Sequence, residues 1–144
     1  MQIELRSPAT EEELAKYCDL RWRVLRKPWG GEKPSAAEHD PAAFHLTAWD
    51  GDRIVACGRV GFLSPEEAQV RGMAVDPEYA GQGIGSRVLK GLEEHAVRAG
   101  MKRMVLHGRE IALPFYRRNG YQQGEQSYTL YGSVLHWRMH KDLE

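Results

Sequence analysis

Between Met73 and Ser86 the chain reads Met73-Ala74-Val75-Asp76-Pro77-Glu78-Tyr79-Ala80-Gly81-Gln82-Gly83-Ile84-Gly85-Ser86. A strand-like stretch passes through a glycine-rich turn into a helix-like one. From there Ile84, Val88, Leu92 and Ala96 recur every four residues as far as Gly100, so one apolar stripe and a terminal glycine define a helix starting near Gly83. Such a turn suits an anion. Glycines at 81, 83 and 85 remove the Cβ atoms that would block a close approach, and the free N–H groups of a helix start carry the positive end of its dipole. Two nucleotide motifs are excluded directly. The dinucleotide fingerprint needs a third glycine or alanine where Ser86 stands, and no Gly-Lys-Ser/Thr triplet of a P-loop occurs.

Around this segment the pattern predicts the remaining elements. Residues 2 to 6 alternate as a half-buried strand, and Thr10 with Glu13 three residues on forms a capping box. Leu14, Cys18, Trp22 and Leu25 follow at helical spacing, so the expected helix runs until Pro28. The stretch from Pro28 to Pro41 reads as a functional loop, with its prolines and the Gly30-Gly31 pair. Phe44 to Trp49 and Arg53 to Val60 read as strands flanking an Asp50-Gly51 hairpin turn, and Gln69 to Val75 as another strand ended by Asp76-Pro77. Met104 to Leu106 forms a short strand, Ile111 to Arg118 a short helix with Pro114 in its first turn, and the runs Tyr121 to Tyr131 and Val134 to His140 close the chain. The expectation is one α/β domain over residues 1–144, a mixed and mostly antiparallel sheet flanked by helices.

Composition bounds the partners. Twenty Lys and Arg balance twenty Asp and Glu. No net field draws such a chain to nucleic acid or to a membrane surface. No apolar run approaches the length of a membrane span and the N-terminus lacks the pattern of a signal peptide, so a cytoplasmic location is expected. In that compartment Cys18 and Cys57 are expected to be buried thiols and not a disulfide. His136 and His140, four apart on a strand, lie about 13 Å apart, too far to share an ion, so no metal is expected.

The glycine turn resembles the acyl-CoA motif of the GNAT superfamily of N-acyltransferases, Gln/Arg-x-x-Gly-x-Gly/Ala, with Gly83 and Gly85 on its glycine positions. Arg71-Gly72-Met73-Ala74-Val75 looks like the family's strand before the turn. Ala112-Leu113-Pro114-Phe115-Tyr116-Arg117-Arg118-Asn119-Gly120-Tyr121 looks like its Ala-x-x-Phe-Tyr-x-x-x-Gly-Phe/Tyr segment. Together these cover roughly residues 70 to 121. Ala80 departs from the pattern at the Gln/Arg position, which implies weakened cofactor binding.

The resemblance implies a GNAT-like sheet with a splayed central strand pair and an acyl-CoA such as acetyl-CoA as cosubstrate. The acceptor would be a primary amine of a small molecule or peptide, and a homodimer is possible. It implies that Met73 and Val75 offer backbone groups to the pantetheine arm, with the Val75 N–H as oxyanion donor, and that Gly81, Gln82, Gly83, Ile84, Gly85 and Ser86 receive the pyrophosphate. Tyr116 is the candidate acid for the departing thiolate. The competing explanation is packing beside Phe115. His107, His136 and Glu110 are candidates for the base that takes the amine proton. The Pro28–Pro41 loop and the tyrosines at 128 and 131 are candidate walls of the acceptor pocket. A non-catalytic acyl-CoA sensor or partner-binding module is the rival expectation.

Overall fold

The computed structural model describes residues 2–34 and 39–143. Residues 35–38 of the expected Pro28–Pro41 loop lie outside the described residues. Strand β1 (Glu4–Arg6), helix α1 (Glu11–Arg21), strands β2 (Phe44–Asp50), β3 (Arg53–Phe62) and β4 (Glu67–Val75), helix α2 (Ile84–Arg98), strand β5 (Arg103–Arg109), helix α3 (Leu113–Arg118), and strands β6 (Gln122–Leu130) and β7 (Val134–Asp142) succeed one another along the chain. They build a seven-stranded sheet in the order β1-β2-β3-β4-β5-β7-β6. Every pair is antiparallel except β4–β5, which α2 joins by a crossover. The expected mixed sheet is therefore found.

Local chemistry accounts for most element ends. The Thr10 hydroxyl accepts from the Glu13 N–H at 3.1 Å, while the Glu13 carboxylate accepts from the Ala9 N–H at 2.8 Å and from Arg6 at 2.7 Å. The capping box thus closes one residue before the cap. The expected helix to Pro28 is corrected. Regular α-helix stops at Arg21, a π-helical turn spans Trp22–Arg26, and a 3-10 turn over Lys27–Trp29 takes Pro28 near its start. The Trp22 indole N–H donates to the Gly31 carbonyl at 2.9 Å, and Gly31 N–H to the Arg26 carbonyl at 2.9 Å, so bonds to the glycine pair close off this widened segment. The hairpin turn is also shifted by one residue. Asp50 pairs with Arg53, and Gly51 takes the positive φ of 60°.

Each sheet face is covered. On one, Val88, Leu89, Leu92 and Ala96 of α2 pack with Leu46, Val55, Val60, Val70, Met104 and Met139. On the other, Tyr17 and Leu20 of α1 pack with Trp49, Ile54, Cys57 and Ala74. Both cysteines are buried and free, as expected. Of the four tryptophans, Trp49 is buried while Trp29 is 45% exposed, so only some serve the core. Among the described residues no helix is long and apolar enough to cross a membrane.

Two irregularities interrupt the middle of the sheet. Cys57 faces Ala74 and Arg59 faces Arg71, so Gly58 stands opposite both Gly72 and Met73, a bulge in β4 with Gly72 at φ 64°. In addition, β4 and β5 pair only from Glu67↔Arg103 to Gln69↔Val105. Beyond that point each strand continues unpaired with the other, and a gap opens between them.

Candidate active site

The gap leads into a cleft of about 550 Å³ whose lining includes Met73, Val75, His107, Arg109, Tyr116 and His136. Asp76 N–H donates to the Val55 carbonyl at 2.8 Å, toward β3. Successive N–H groups alternate along a strand, so the Val75 N–H turns the other way, toward the gap. That orientation suits both an added strand-like ligand and a donor for a developing oxyanion.

Asp76 fixes the turn after β4. Its carboxylate accepts from the Glu78 N–H at 3.0 Å and from Arg53 at 2.9 Å, with Arg23 at 3.6 Å. Burial alone would raise its pKa, but the Glu78 amide and the two arginines outweigh it and hold the carboxyl below its ordinary value. Tyr79 hydroxyl donates to Asp50 at 2.6 Å and ties the same turn to the β2–β3 hairpin. At the end of this braced turn Gly83 caps α2 with φ 77° and no side-chain hydrogen bond. The first amides of α2 are therefore uncapped by side chains, and no acidic residue sits in the first turn.

The three glycines do different work. At Gly81 and Gly83 an added Cβ would meet nothing within 4 Å, and both take φ 77°, so backbone conformation is what requires glycine there. At Gly85 a Cβ would lie 3.0 Å from Val75 Cγ2 and 3.3 Å from the Phe115 ring. Gly85 thus has a packing requirement of its own, beside the place the sequence gives it in an anion's approach. Gly85 is glycine because α2 starts hard against β4 and α3. The Ser86 hydroxyl accepts from the Asn119 amide at 3.2 Å, which links the same helix start to the end of α3.

Tyr116 is 8% exposed, with its ring edge-on to Phe115 and Tyr121. Gly108 of β5 makes room for that ring, since a Cβ there would lie 3.2 Å from it. The phenol has no hydrogen-bond partner among the described residues. Burial raises its pKa, against a smaller opposing effect of Arg109, which keeps it protonated.

Strands β5, β7 and β6 bring three rings together. Tyr128 stacks on His136 with centroids 4.4 Å apart and lies 5.2 Å from the His107 ring. His136 is 4% exposed, and its Nδ1 lies 3.0 Å from the Val134 carbonyl. A carbonyl only accepts, so Nδ1 carries the proton and the Nε2 lone pair is free. Burial first, then Arg109 and His107, lowers the His136 pKa and keeps the ring neutral. His107 is likewise lowered by burial, Arg138 and Arg71, but its buried Nδ1 has no partner, so nothing fixes its tautomer. Glu110, the third base candidate, sits in an exposed 3-10 turn outside the cleft lining. Spacing did not single out Arg109, although it stands two residues after His107 on the same strand and so shares its face.

Comparison with known proteins agrees with this geometry. Residues 14–121 match the acetyltransferase (GNAT) family. The chain is 26% identical to Uncharacterized N-acetyltransferase YjcF of Bacillus subtilis (strain 168), over 68% of this chain and 69% of that one. It is 32% identical to N-alpha-acetyltransferase RimI of Mycobacterium tuberculosis, over 67% of this chain and 63% of that one. Among solved structures, an aminoglycoside 6'-N-acetyltransferase complexed with coenzyme A superposes with a TM-score of 0.82 at 16% identity, over 99% of this chain and 97% of that one. Escherichia coli ElaA superposes with a TM-score of 0.80 at 19% identity, over 97% and 99%. These two likenesses show the fold. Taken with the family match over residues 14–121, the splayed strands and the uncapped glycine turn, they lead to one conclusion: this chain belongs to the GNAT family of acetyltransferases and is an acyl-CoA-dependent N-acyltransferase.

Proposed function

We propose that the protein transfers an acetyl group from acetyl-CoA to a primary amine of a small molecule or peptide. The observation that carries this reading is the unpaired stretch of β4 and β5, which opens beyond Gln69 and Val105 and runs beside an uncapped helix start. Met73 and Val75 would hold the pantetheine arm by backbone bonds. The amides from Gly81 through Gln82, Gly83, Ile84 and Gly85 to Ser86 would take the pyrophosphate, as a run of N–H groups with no competing acid can.

The chemistry then uses this chain's own groups. The amine nitrogen attacks the thioester carbonyl, the new C–N bond forms and the C–S bond breaks. The Val75 N–H faces the oxygen on which negative charge develops. The Tyr116 hydroxyl gives its proton to the departing sulfur, and its cleft position and protonated state support that role. His136 Nε2 takes the proton from the amine, because its fixed tautomer leaves that nitrogen as an acceptor. His107 lies beside Tyr128 in the same wall and serves as the second candidate base. A cytoplasmic location, where acetyl-CoA is available, and a single catalytic domain over residues 1–144 belong to this proposal.

The test is free thiol release from acetyl-CoA across a panel of amines, with the N-acetyl product identified by mass spectrometry. Turnover of any amine supports the proposal. Tight CoA binding with slowed hydrogen exchange at residues 81–86, but no product from any amine, would favour a binding module instead.

A further inference from the structure

Several cations elsewhere in this molecule have carboxylate partners. Arg6 pairs with Glu13, Arg23 with Asp19, Arg53 with Asp76 and Glu78, and Lys141 with Glu93. The cleft holds no such pair among the described residues. Arg59, Arg71 and Arg109 line it, and no aspartate or glutamate does. Among the described residues, none of the three forms an ion pair with a carboxylate.

Their placement is not scattered. Arg59 faces Arg71 across β3 and β4, and it lies two residues from Cys57, which packs against α1. Arg109 faces His136 across β5 and β7. Arg109 donates to the Leu25 carbonyl at 2.7 Å, which occupies one of its five donors. The others have no partner among the described residues, and none is sealed away from solvent. The half-buried guanidinium therefore holds unused donors at the cleft wall, beside the ring that carries the Nε2 lone pair. A charge kept there without a counterion costs free energy that an incoming anion would recover.

We infer that the amine acceptor also carries an oxyanion, a carboxylate or a phosphate, and that Arg109, with Arg59 and Arg71 as the surrounding field, receives it. This inference rests on the acetyl-transfer reading of the same cleft and names its substrate class. The charge alone has two consequences. A cationic wall repels polycationic amines. It also favours the neutral over the protonated form of a bound amine, the form that can attack. Guanidinium donors form bidentate bonds with carboxylate and phosphate, and the planar fork is what lysine lacks. A cleft of about 550 Å³ that must also admit the thioester end suits a small molecule.

Matched acceptors test this at saturating acetyl-CoA. The probes are amino acids against their amides, O-phosphoethanolamine against ethanolamine, and spermidine as a polycation. The expected result is a kcat/KM advantage of about 10- to 100-fold for an oxyanion member over its neutral partner, the range of a charge-assisted bond. The carboxylate and phosphate pairs tell the two sources apart. In R109Q that advantage should fall at least about tenfold, through KM, while CoA affinity stays as in the parent and Tm falls only slightly, through the lost bond to the Leu25 carbonyl. R109K should restore it only in part, and R71Q serves as a second variant if R109Q is unstable. Amides, ethanolamine or spermidine used as well as the oxyanion acceptors would overturn the inference and leave acetyl transfer intact. An advantage that survives in both R109Q and R71Q would also overturn it. If CoA binds and no amine turns over, calorimetry of N-acetylglycine against N-acetylglycinamide on the CoA complex decides, and equal affinity refutes the inference. Absence of CoA binding in calorimetry sinks the acetyl-transfer reading, and the inference falls with it.

Discussion

Replacing Tyr116 with phenylalanine separates chemistry from packing, because the structure assigns the hydroxyl and the ring different surroundings. The ring lies against Phe115, Tyr121 and the space left by Gly108. Phenylalanine keeps those contacts. The hydroxyl has no hydrogen-bond partner among the described residues and is not sealed from solvent, so its removal breaks no internal bond and leaves no orphaned group. Stability should change by less than about 1 kcal/mol, in either direction. For a chain of this length that is a Tm shift of at most about 4 °C. Loss of a general acid, by contrast, lowers the rate about 10²- to 10⁴-fold. The assay is kcat from thiol release with an acceptor found in the amine panel, alongside CoA affinity by calorimetry and Tm by scanning calorimetry. The expected outcome is a kcat loss in that range with CoA affinity and Tm nearly unchanged. A kcat within about threefold of the parent when chemistry limits turnover, far below the general-acid range, would refute the assignment of Tyr116 as the acid. A much larger fall in Tm would instead show that the hydroxyl is part of the packing.

The two glycine substitutions at the turn should behave differently. Gly83→Ala meets no neighbour but forces φ 77° on an L-residue, at about 1 kcal/mol, whereas Gly85→Ala brings a Cβ to 3.0 Å from Val75, so G85A should melt lower and bind CoA less well than G83A. Equal melting of the two variants would show that the helix start yields without strain. Stability should also fall on mild acidification. His45, His95, His107 and His136 all have pKa values depressed below the ordinary 6.5, in each case by burial first. The unfolded chain therefore binds more protons than the folded one as pH drops through 6.5, and the folded state loses stability below that pH while keeping it above. Melting curves from pH 7.5 to 5 should show a declining Tm that begins near 6.5, and a flat profile would contradict the burial of these rings.

Local signals were legible wherever the contacts that decide them are close in the chain. Thr10 and Glu13 announced a helix start, Gly51 a hairpin, and the stripe Ile84, Val88, Leu92, Ala96 a helix whose buried face the structure reproduces. The motif residues from Arg71 to Tyr121 carried the family, because a strand, an anion-ready turn and a helix form from consecutive residues. Tyr116 and the histidines could be named as candidates, but not ranked. The reason for choosing His136 over His107 is a bond to the Val134 carbonyl that no spacing foretells.

Only the tertiary structure decided where β4 and β5 part, since hydrophobic period reports which face of a strand is buried and not how far its pairing extends. It decided that Gly85 is glycine for packing, because Val75 and Phe115 reach it from other elements. It stopped α1 at Arg21, where a π-helical turn follows whose Leu25 carbonyl accepts from Arg109 of β5, against the apolar pattern running to Leu25. Above all it set Arg109, Tyr128 and His136 side by side from three strands. Charge and aromaticity are properties of single residues, but an unpaired cation is a property of its neighbours, and those neighbours are fixed only when the sheet closes.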